Sequence, residues 1–137
     1  MKIRKMTDQD IQNVVLIQTK FFQGNEFYSA NCLLEMLANP DMDLSVLVDQ
    51  NKIIGYYISY LLKDHIDLLQ IVIDRSYQKQ GYGKRIIQIL EQKHLPILVE
   101  VNEENENAIS FYETIGFKKQ TVLKHYYGCN DAILYKK

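Results

Sequence analysis

A glycine-containing loop, Gln78-Lys79-Gln80-Gly81-Tyr82-Gly83, separates the β-branched run Ile71–Ile73 from an amphipathic run that begins near Lys84. A strand that ends in such a loop and continues as a helix leaves backbone N–H groups without a helical acceptor. These donors and the positive end of the helix dipole bind phosphate well. The absent Cβ atoms of Gly81 and Gly83 let the backbone approach an anion and take left-handed angles. Basic side chains surround the same point: Lys79, Lys84 and Arg85.

Two better-known phosphate-binding motifs do not fit this loop. A Walker A loop requires Ser or Thr after Gly-Lys, whereas Arg85 follows Gly83-Lys84. A dinucleotide-binding fingerprint requires a third glycine, whereas Ile86 stands three residues after Gly83. An ordinary strand-to-helix turn that uses glycines for its geometry remains the alternative to a phosphate loop.

A second motif follows the next apolar strand. Asn105 is followed seven residues later by Tyr112, and the segment ends in Gly116-Phe117. In this order, the Gln-x-x-Gly-x-Gly loop and this segment resemble the GNAT superfamily of acetyl-CoA-dependent N-acetyltransferases. The resemblance covers nearly the whole chain, is weakest in the N-terminal third, and is closest to the bacterial N-terminal alanine acetyltransferases of ribosomal proteins.

The resemblance implies acetyl-CoA as cosubstrate and assigns residues to it. The loop and the first helical turn would hold the pyrophosphate: Gln78, Lys79, Gln80, Gly81, Tyr82, Gly83 and Lys84. The backbone of the preceding strand would pair with the pantetheine amides as an added strand does: Ile71, Val72 and Ile73. Asn105 has two candidate roles, capping its helix and hydrogen bonding to the pantetheine arm.

Amine acetylation requires a base for the amine, donors for the thioester carbonyl and a proton for the departing thiolate. Glu100 is the one ionisable residue within Ile97–Val101, and by resemblance it matches a glutamate that deprotonates the amine through water. Burial in this strand is expected to raise its pKa, and a structural ion pair is the alternative. Tyr112 is the implied general acid, although its place on an apolar helical stripe also predicts a core tyrosine.

Three residues are assigned to acceptor binding, and the chemical class of the acceptor is left open. Tyr126 and Tyr127 resemble the tyrosines that line the peptide-entry site of N-terminal acetyltransferases, and Gln70 is expected on the acceptor side of its strand. Hairpin packing is the alternative for the tyrosines, and a polar strand position is the alternative for Gln70. The following connection is short and carries Asn130 where those enzymes have Glu. A protein N-terminus, a small amine (a polyamine, amino acid or aminoglycoside) and a CoA-binding module without catalysis therefore all stay open.

The length predicts one domain over residues 1–137, because it suits a single core. The net charge is only −1, so no overall field attracts nucleic acid. Neither a nucleic-acid partner nor a membrane span is expected. The two separated cysteines predict free thiols, and the N-terminus lacks a signal peptide, so a cytoplasmic protein, monomeric or homodimeric, is expected. The histidines are scattered without metal-ligand spacing, which predicts no metal site: His65, His94 and His125.

Periodicity and turn residues predict the order βααβββαβαββ. A capping box at Thr7–Asp10 and a cap at Ser29 start the first two helices, with a break containing Gly24-Asn25 between them. This order predicts an α/β (α+β) fold with a mixed, twisted sheet of about seven strands and helices on both faces, as in GNAT domains. The predicted strands are residues 2–6, 44–49, 53–62, 66–73, 97–101, 118–127 and 132–136.

Overall fold

The computed structural model describes residues 1–22 and 26–137, so the predicted break at Gly24-Asn25 lies outside the described residues. Short 3-10 turns span Asp8–Asp10 and Arg75–Tyr77. The helices and strands are β1 (Lys2–Lys5), α1 (Ile11–Thr19), α2 (Ala30–Leu37), β2 (Met42–Asp49), β3 (Lys52–Leu61), β4 (Ile66–Ile73), α3 (Tyr82–Glu91), β5 (Ile97–Asn102), α4 (Glu106–Thr114), β6 (Lys118–Tyr127) and β7 (Asn130–Lys136). This order confirms the predicted one, with strand ends that differ by up to two residues.

The predicted helix starts are made by the expected side chains. The Thr7 N–H donates to the Asp10 carboxylate at 2.8 Å, and the Ser29 hydroxyl accepts from the Cys32 N–H at 3.2 Å. The Asn105 side chain accepts from the Ala108 N–H at 3.1 Å. Each bond satisfies a donor that the helix itself leaves unpaired, and such caps stabilise by about 1 kcal/mol.

Seven strands form one mixed sheet in the order β1-β2-β3-β4-β5-β7-β6. All neighbouring pairs are antiparallel except β4 and β5, which pair in parallel over Ile66–Leu68 and Ile97–Val99. Helices α1 and α2 cover one face with a core that includes Val14, Leu33 and Tyr56. Helices α3 and α4 cover the other face with the larger core, which includes Ile86, Leu90, Val99, Tyr112 and Tyr135. The predicted GNAT-like fold is confirmed.

Strand β4 contains a bulge at Leu69, because Leu68 pairs with Ser59 while Gln70 pairs with Ile58. The extra residue breaks the alternation of side chains. Leu68 therefore packs with the α3–α4 core, and Val72 packs with the α1–α2 core. The bulge lies where β4 loses its pairing with β5, so it marks the start of the site described next.

None of the helices in the described ranges is long and apolar enough to cross a membrane. Cys32 and Cys129 are both exposed free thiols, as the sequence predicts.

Candidate acetyl-transfer site

A groove of about 1530 Å³ opens where β4 and β5 separate. The two strands form only three residue pairs, of which Leu68 with Val99 is the last in the described residues. Beyond it, both strand ends line the groove, together with the start of α3, helix α4 and the end of β6. Backbone groups of β4 that face this gap have no strand partner there, which is the arrangement that an extended ligand can complete. Ile71, Val72 and Ile73 all line the groove, and their pairing with a pantetheine arm stays a prediction.

The predicted phosphate loop lies at one end of the groove. Gly81 is the N-cap of α3 with φ +88°, no side chain caps the helix, and its first bond runs from the Arg85 N–H to the Gly81 carbonyl at 3.0 Å. The N–H groups of the first turn therefore have no acceptor within the helix. Gln78, Lys79, Gly81, Tyr82, Gly83 and Lys84 line the groove, and both lysines are exposed.

Two glutamines shape this loop from within. The Gln78 side-chain amide donates to the Ile73 carbonyl at 2.8 Å, and the Gln80 side-chain amide donates to the Ser76 carbonyl at 3.2 Å. Lys79 takes a left-handed φ of +61° between them, a conformation that non-glycine residues adopt only where surrounding contacts hold it. The glutamines thus fix the backbone that would contact an anion.

Gly83 is small for a reason that the sequence reasoning missed. A Cβ at Gly83 would lie 2.8 Å from the Phe111 Cζ atom, whereas a Cβ at Gly81 would meet no atom within 4 Å. Only Gly81 has the left-handed φ that was expected of both glycines. Gly83 therefore allows α3 to pack closely on α4, and the expectation that it adopts a left-handed conformation was wrong.

Glu100 lies on the groove side of β5, with its side chain exposed. The neighbouring Val99 and Val101 are buried on the opposite face against α3 and α4. The expected burial of Glu100 was wrong, because the alternation of side chains along β5 turns this residue out of the core. Glu100 forms no ion pair within the described part of the chain; its carboxylate lies near the Tyr126 phenol instead and is the main cause that raises the pKa of that phenol.

Tyr112 is a core tyrosine that also reaches the groove, and its role as general acid stays a prediction. Its ring is 4% exposed and packs edge-on against Phe111 and Phe117, each at 5.1 Å between ring centroids. The residue also lines the groove. Burial raises the pKa of the Tyr112 phenol, and nearby Tyr127 raises it further. The phenol therefore stays protonated at neutral pH, as a proton donor must.

Tyr126 and Tyr127 both line the groove, and their rings meet edge-on at 5.0 Å. The nearby Glu100 carboxylate is the main cause that raises the pKa of Tyr126 to about 12. Burial is the main cause that raises the pKa of Tyr127, with contributions from Glu26 and Glu100. The structure therefore brings the two tyrosines together with Glu100 at the end of the groove opposite the phosphate loop.

Gln70 is 4% exposed, and both ends of its amide bond to protein atoms. Its nitrogen donates to the Glu26 carbonyl at 2.7 Å and to the Gln18 side-chain oxygen at 3.0 Å. Its oxygen accepts from the Tyr56 hydroxyl at 2.8 Å. The Gln18 amide in turn accepts from the Tyr28 N–H at 2.6 Å and donates to the Tyr28 carbonyl at 2.8 Å. These bonds support the structural alternative for Gln70, whose contact with an acceptor stays a prediction.

Two groove residues, Glu26 and Tyr28, were missed as candidates. Burial is the main cause that raises the pKa of the Glu26 carboxyl, while a hydrogen bond with Asn102 opposes it. Burial also raises the pKa of Tyr28, with Cys32 and Glu100 as further causes. The aromatic residues that follow the predicted break were the one available signal, because nothing in the sequence shows that Gln18 and Gln70 hold this segment against the sheet.

A mixed sheet that opens between two parallel strands, with an uncapped helix start at the opening, is the arrangement that the resemblance to acetyltransferases predicted. The family model described as acetyltransferase (GNAT) domain matches residues 3–130. The chain therefore belongs to the GNAT acetyltransferase family, which confirms the predicted family.

The chain is 33% identical over 97 residues to the ribosomal protein bS18-alanine N-acetyltransferase of Escherichia coli. This alignment covers 64% of the chain, and it spans 66% of the length of that relative. The crystal structure of the Escherichia coli ribosomal-protein-S18-alanine N-acetyltransferase matches with a TM-score of 0.82 at 24% identity, covering 98% of this chain and 91% of that one. Ard1 from Thermoplasma volcanium matches with a TM-score of 0.86 at 19% identity, covering 99% and 95%. Both structures show the same fold.

Within residues 1–22 and 26–137, no group of three or more His, Cys, Asp or Glu side chains is arranged to hold a metal ion.

Proposed function

We propose that this chain transfers the acetyl group of acetyl-CoA directly to a primary amine, with a protein or peptide N-terminus as the preferred acceptor. The observation that carries the proposal is the groove itself. It joins the uncapped start of α3, the unpaired edge of β4 and the Glu100–Tyr126 pair in one continuous opening. Those three parts suit a diphosphate, an amide-bearing arm and an amine, in that order along the groove.

The chain offers groups for each part of the cosubstrate. The N–H groups of the first turn of α3 would hold the pyrophosphate, and Lys79 and Lys84 would add charge at the exposed rim. The backbone of Ile71–Ile73 would pair with the pantetheine amides and place one N–H near the acyl oxygen. Bound acetyl-CoA would supply the acyl group as a thioester.

Glu100 is the proposed base. Its exposed carboxylate accepts the proton of the incoming ammonium, either directly or through one water, so that the nitrogen lone pair becomes available. The nitrogen then bonds to the acyl carbon as the carbon–sulfur bond breaks. Tyr112 donates its phenolic proton to the sulfur that leaves, and its buried surroundings keep that proton in place beforehand. The nitrogen loses its second proton as the amide forms; a proton returns through solvent to the Tyr112 oxygen, and Glu100 releases its own proton to solvent.

Asn105 caps α4, and this bond occupies its side-chain oxygen. Its amide nitrogen is left to reach the pantetheine arm, so the two proposed roles are compatible. A cytoplasmic location is also proposed, and the exposed free thiols support it, since disulfides are rare in reducing compartments.

A peptide acceptor is preferred for two reasons. The acceptor end of the groove is built from Tyr28, Tyr126 and Tyr127, and Tyr126 is half exposed, which suits an extended chain that leaves the protein. The relative in Escherichia coli is named for the alanine N-terminus of a ribosomal protein. A small polyamine, amino acid or aminoglycoside is the second candidate acceptor class.

The test combines calorimetry with CoA and a thiol-release assay over a panel of amines. The panel holds Ala- and Ser-starting peptides, their N-acetylated forms as controls, spermidine and an aminoglycoside. We expect binding of CoA and release of thiol with the free N-terminal peptides alone. Release only with small amines would assign the second acceptor class, and binding without any release would indicate a CoA-binding module.

Matched variants test the two catalytic assignments. Glu100→Gln should lower kcat and change its dependence on pH, with Glu91→Gln on the surface of α3 as its control. Tyr112→Phe should lower kcat more than it weakens CoA binding. Its control is Tyr135→Phe, which removes another buried phenol, one bonded to Glu113. Wild-type rates in Glu100→Gln or Tyr112→Phe would refute the corresponding role.

A further inference from the structure

The end of β6 contains an irregularity that places the two acceptor-side tyrosines. In a regular strand, consecutive side chains point to opposite faces of the sheet. Tyr126 and Tyr127 are consecutive, yet their rings meet edge-on at 5.0 Å and both phenols lie near Glu100. The β6–β7 pairing explains this, because Leu123 pairs with Ala132 and the next pair is Tyr127 with Asn130. Three residues of β6 thus lie opposite the single residue Asp131 of β7.

This bulge has an unfavourable backbone conformation. His125 takes a left-handed φ of +54°, which a non-glycine residue adopts only when its surroundings hold it there. A bulge that persists at such a cost needs contacts that a regular hairpin would not supply.

The Asp131 side chain provides those contacts. One carboxylate oxygen accepts from the His125 N–H at 2.8 Å, and the other accepts from the Lys124 ammonium at 3.1 Å. The Asp131 backbone is held in turn by Glu103, which follows β5. The Glu103 carboxylate accepts from the Asp131 N–H at 2.7 Å, and the Glu103 backbone N–H donates to the Asp131 carbonyl at 3.0 Å.

We propose that Asp131, supported by Glu103, is a positioning residue for acceptor binding: it fixes the β6 bulge that brings both Tyr126 and Tyr127 beside Glu100. This inference rests on the proposed function of the groove. Without the carboxylate at residue 131, β6 pairs regularly with β7 and one tyrosine turns away from the groove. The phosphate loop lies at the other end of the groove and is unaffected.

The kinetic test compares Asp131→Ala with Asp131→Asn. Asparagine keeps an oxygen that accepts from the His125 N–H, whereas alanine does not. We expect Asp131→Ala to raise the acceptor KM on the order of tenfold or more, the effect of losing a hydrogen bond to a charged group, while the KM for acetyl-CoA stays within about twofold. Asp131→Asn should restore most of the acceptor affinity. Lys124→Met is the control that removes only the ion pair between Lys124 and Asp131. Because the Lys124 side chain is 76% exposed, this pair should contribute little to the acceptor KM.

A second readout does not require activity. The ring carbon next to the phenol oxygen of Tyr126 is followed by NMR in protein with carbon-13-labelled tyrosine, assigned with Tyr126→Phe. In the wild type the nearby Glu100 carboxylate raises the pKa of Tyr126 to about 12; if Asp131→Ala moves the ring away from Glu100, this pKa should fall toward its usual value. If no amine reacts, the proposed function is refuted. The Tyr126 titration does not depend on activity, so it would still test whether Asp131 positions the tyrosines.

Two results would overturn the inference: an unchanged Tyr126 titration in Asp131→Ala, or a loss of stability with no change in acceptor KM. If Asp131→Ala does not fold, Glu103→Ala and Glu103→Gln replace it. Glutamine keeps an oxygen for the Asp131 N–H, so it should restore the acceptor KM that alanine raises, and equal KM values in the two variants would contradict the inference.

Discussion

Replacement of Gly83 by alanine tests whether this glycine serves helix packing. The new Cβ would lie 2.8 Å from the Phe111 Cζ atom and 2.9 Å from Cε1, well inside the normal separation of about 3.5–4.0 Å between carbon atoms. The Phe111 ring is itself packed edge-on against Tyr112, so it has little freedom to move aside. Overpacking of this kind costs about 1–3 kcal/mol.

Urea unfolding measures this cost, and calorimetry with CoA measures its effect on the site. Gly83→Ala should lower the free energy of unfolding by about 1–3 kcal/mol. It should also weaken CoA binding by about tenfold, or 1.4 kcal/mol, because α3 moves away from α4 and takes its N–H donors with it.

The double variant separates packing from other effects. In Phe111→Leu the two clashing ring atoms are gone, so Gly83→Ala should cost little more in that background, with a coupling energy of about 1 kcal/mol or more. Gly81→Ala is the matched control, since no atom lies within 4 Å of its Cβ position and its cost comes from the left-handed φ. That cost should be the same in both backgrounds. Equal costs of Gly83→Ala in the two backgrounds would refute the packing explanation.

Three further predictions concern residues around the site and the first turn. Gln70→Leu leaves buried partners unpaired, so unfolding in urea should show a loss of about 1–3 kcal/mol, and the acceptor KM should rise with CoA affinity unchanged. Asn105→Ala should cost about 1 kcal/mol as a lost cap, and Asn105→Asp should restore stability; if it fails to restore CoA affinity too, the pantetheine role of the amide is supported. The hydrogen-bonded Arg4 guanidinium is the main cause that lowers the pKa of Asp10. This pair therefore stabilises the fold above about pH 4, and the contribution is lost as the pH falls further. Asp10→Asn should make unfolding less dependent on pH between about pH 4 and pH 2, and an unchanged dependence would contradict this.

Local signals predicted the element order because each is written in neighbouring residues. Ser29 and Asn105 are caps that act within one turn, and the apolar run Ile97–Val101 is a buried strand by its own composition. The loop at Gly81 was predicted for the same reason. A short-range pattern also identifies a family, since its loop and helix motifs are contiguous in the chain.

Contacts between distant residues set the features that were missed. Gly83 owes its size to Phe111, 28 positions later. Gln70 bonds to Gln18 across 52 residues, and this bond, with those to the Tyr28 backbone, brings Glu26 and Tyr28 to the groove. The exposure of Glu100 depended on which face of β5 meets α3 and α4. Four apolar residues among the five of Ile97–Val101 do not specify that face.

The short β4–β5 pairing gives this sheet an edge in its interior. Three paired residues on each strand hold the two halves together, and the remaining amides of β4 on that side face water in the protein alone. Unprotected edges of this kind exchange their amide hydrogens rapidly and invite pairing with foreign strands. A pantetheine arm bound in this opening would therefore also protect the fold. It would slow amide exchange at Ile71–Ile73 and block pairing with strands of other molecules. It would also raise the melting temperature, and more so at higher ligand concentration.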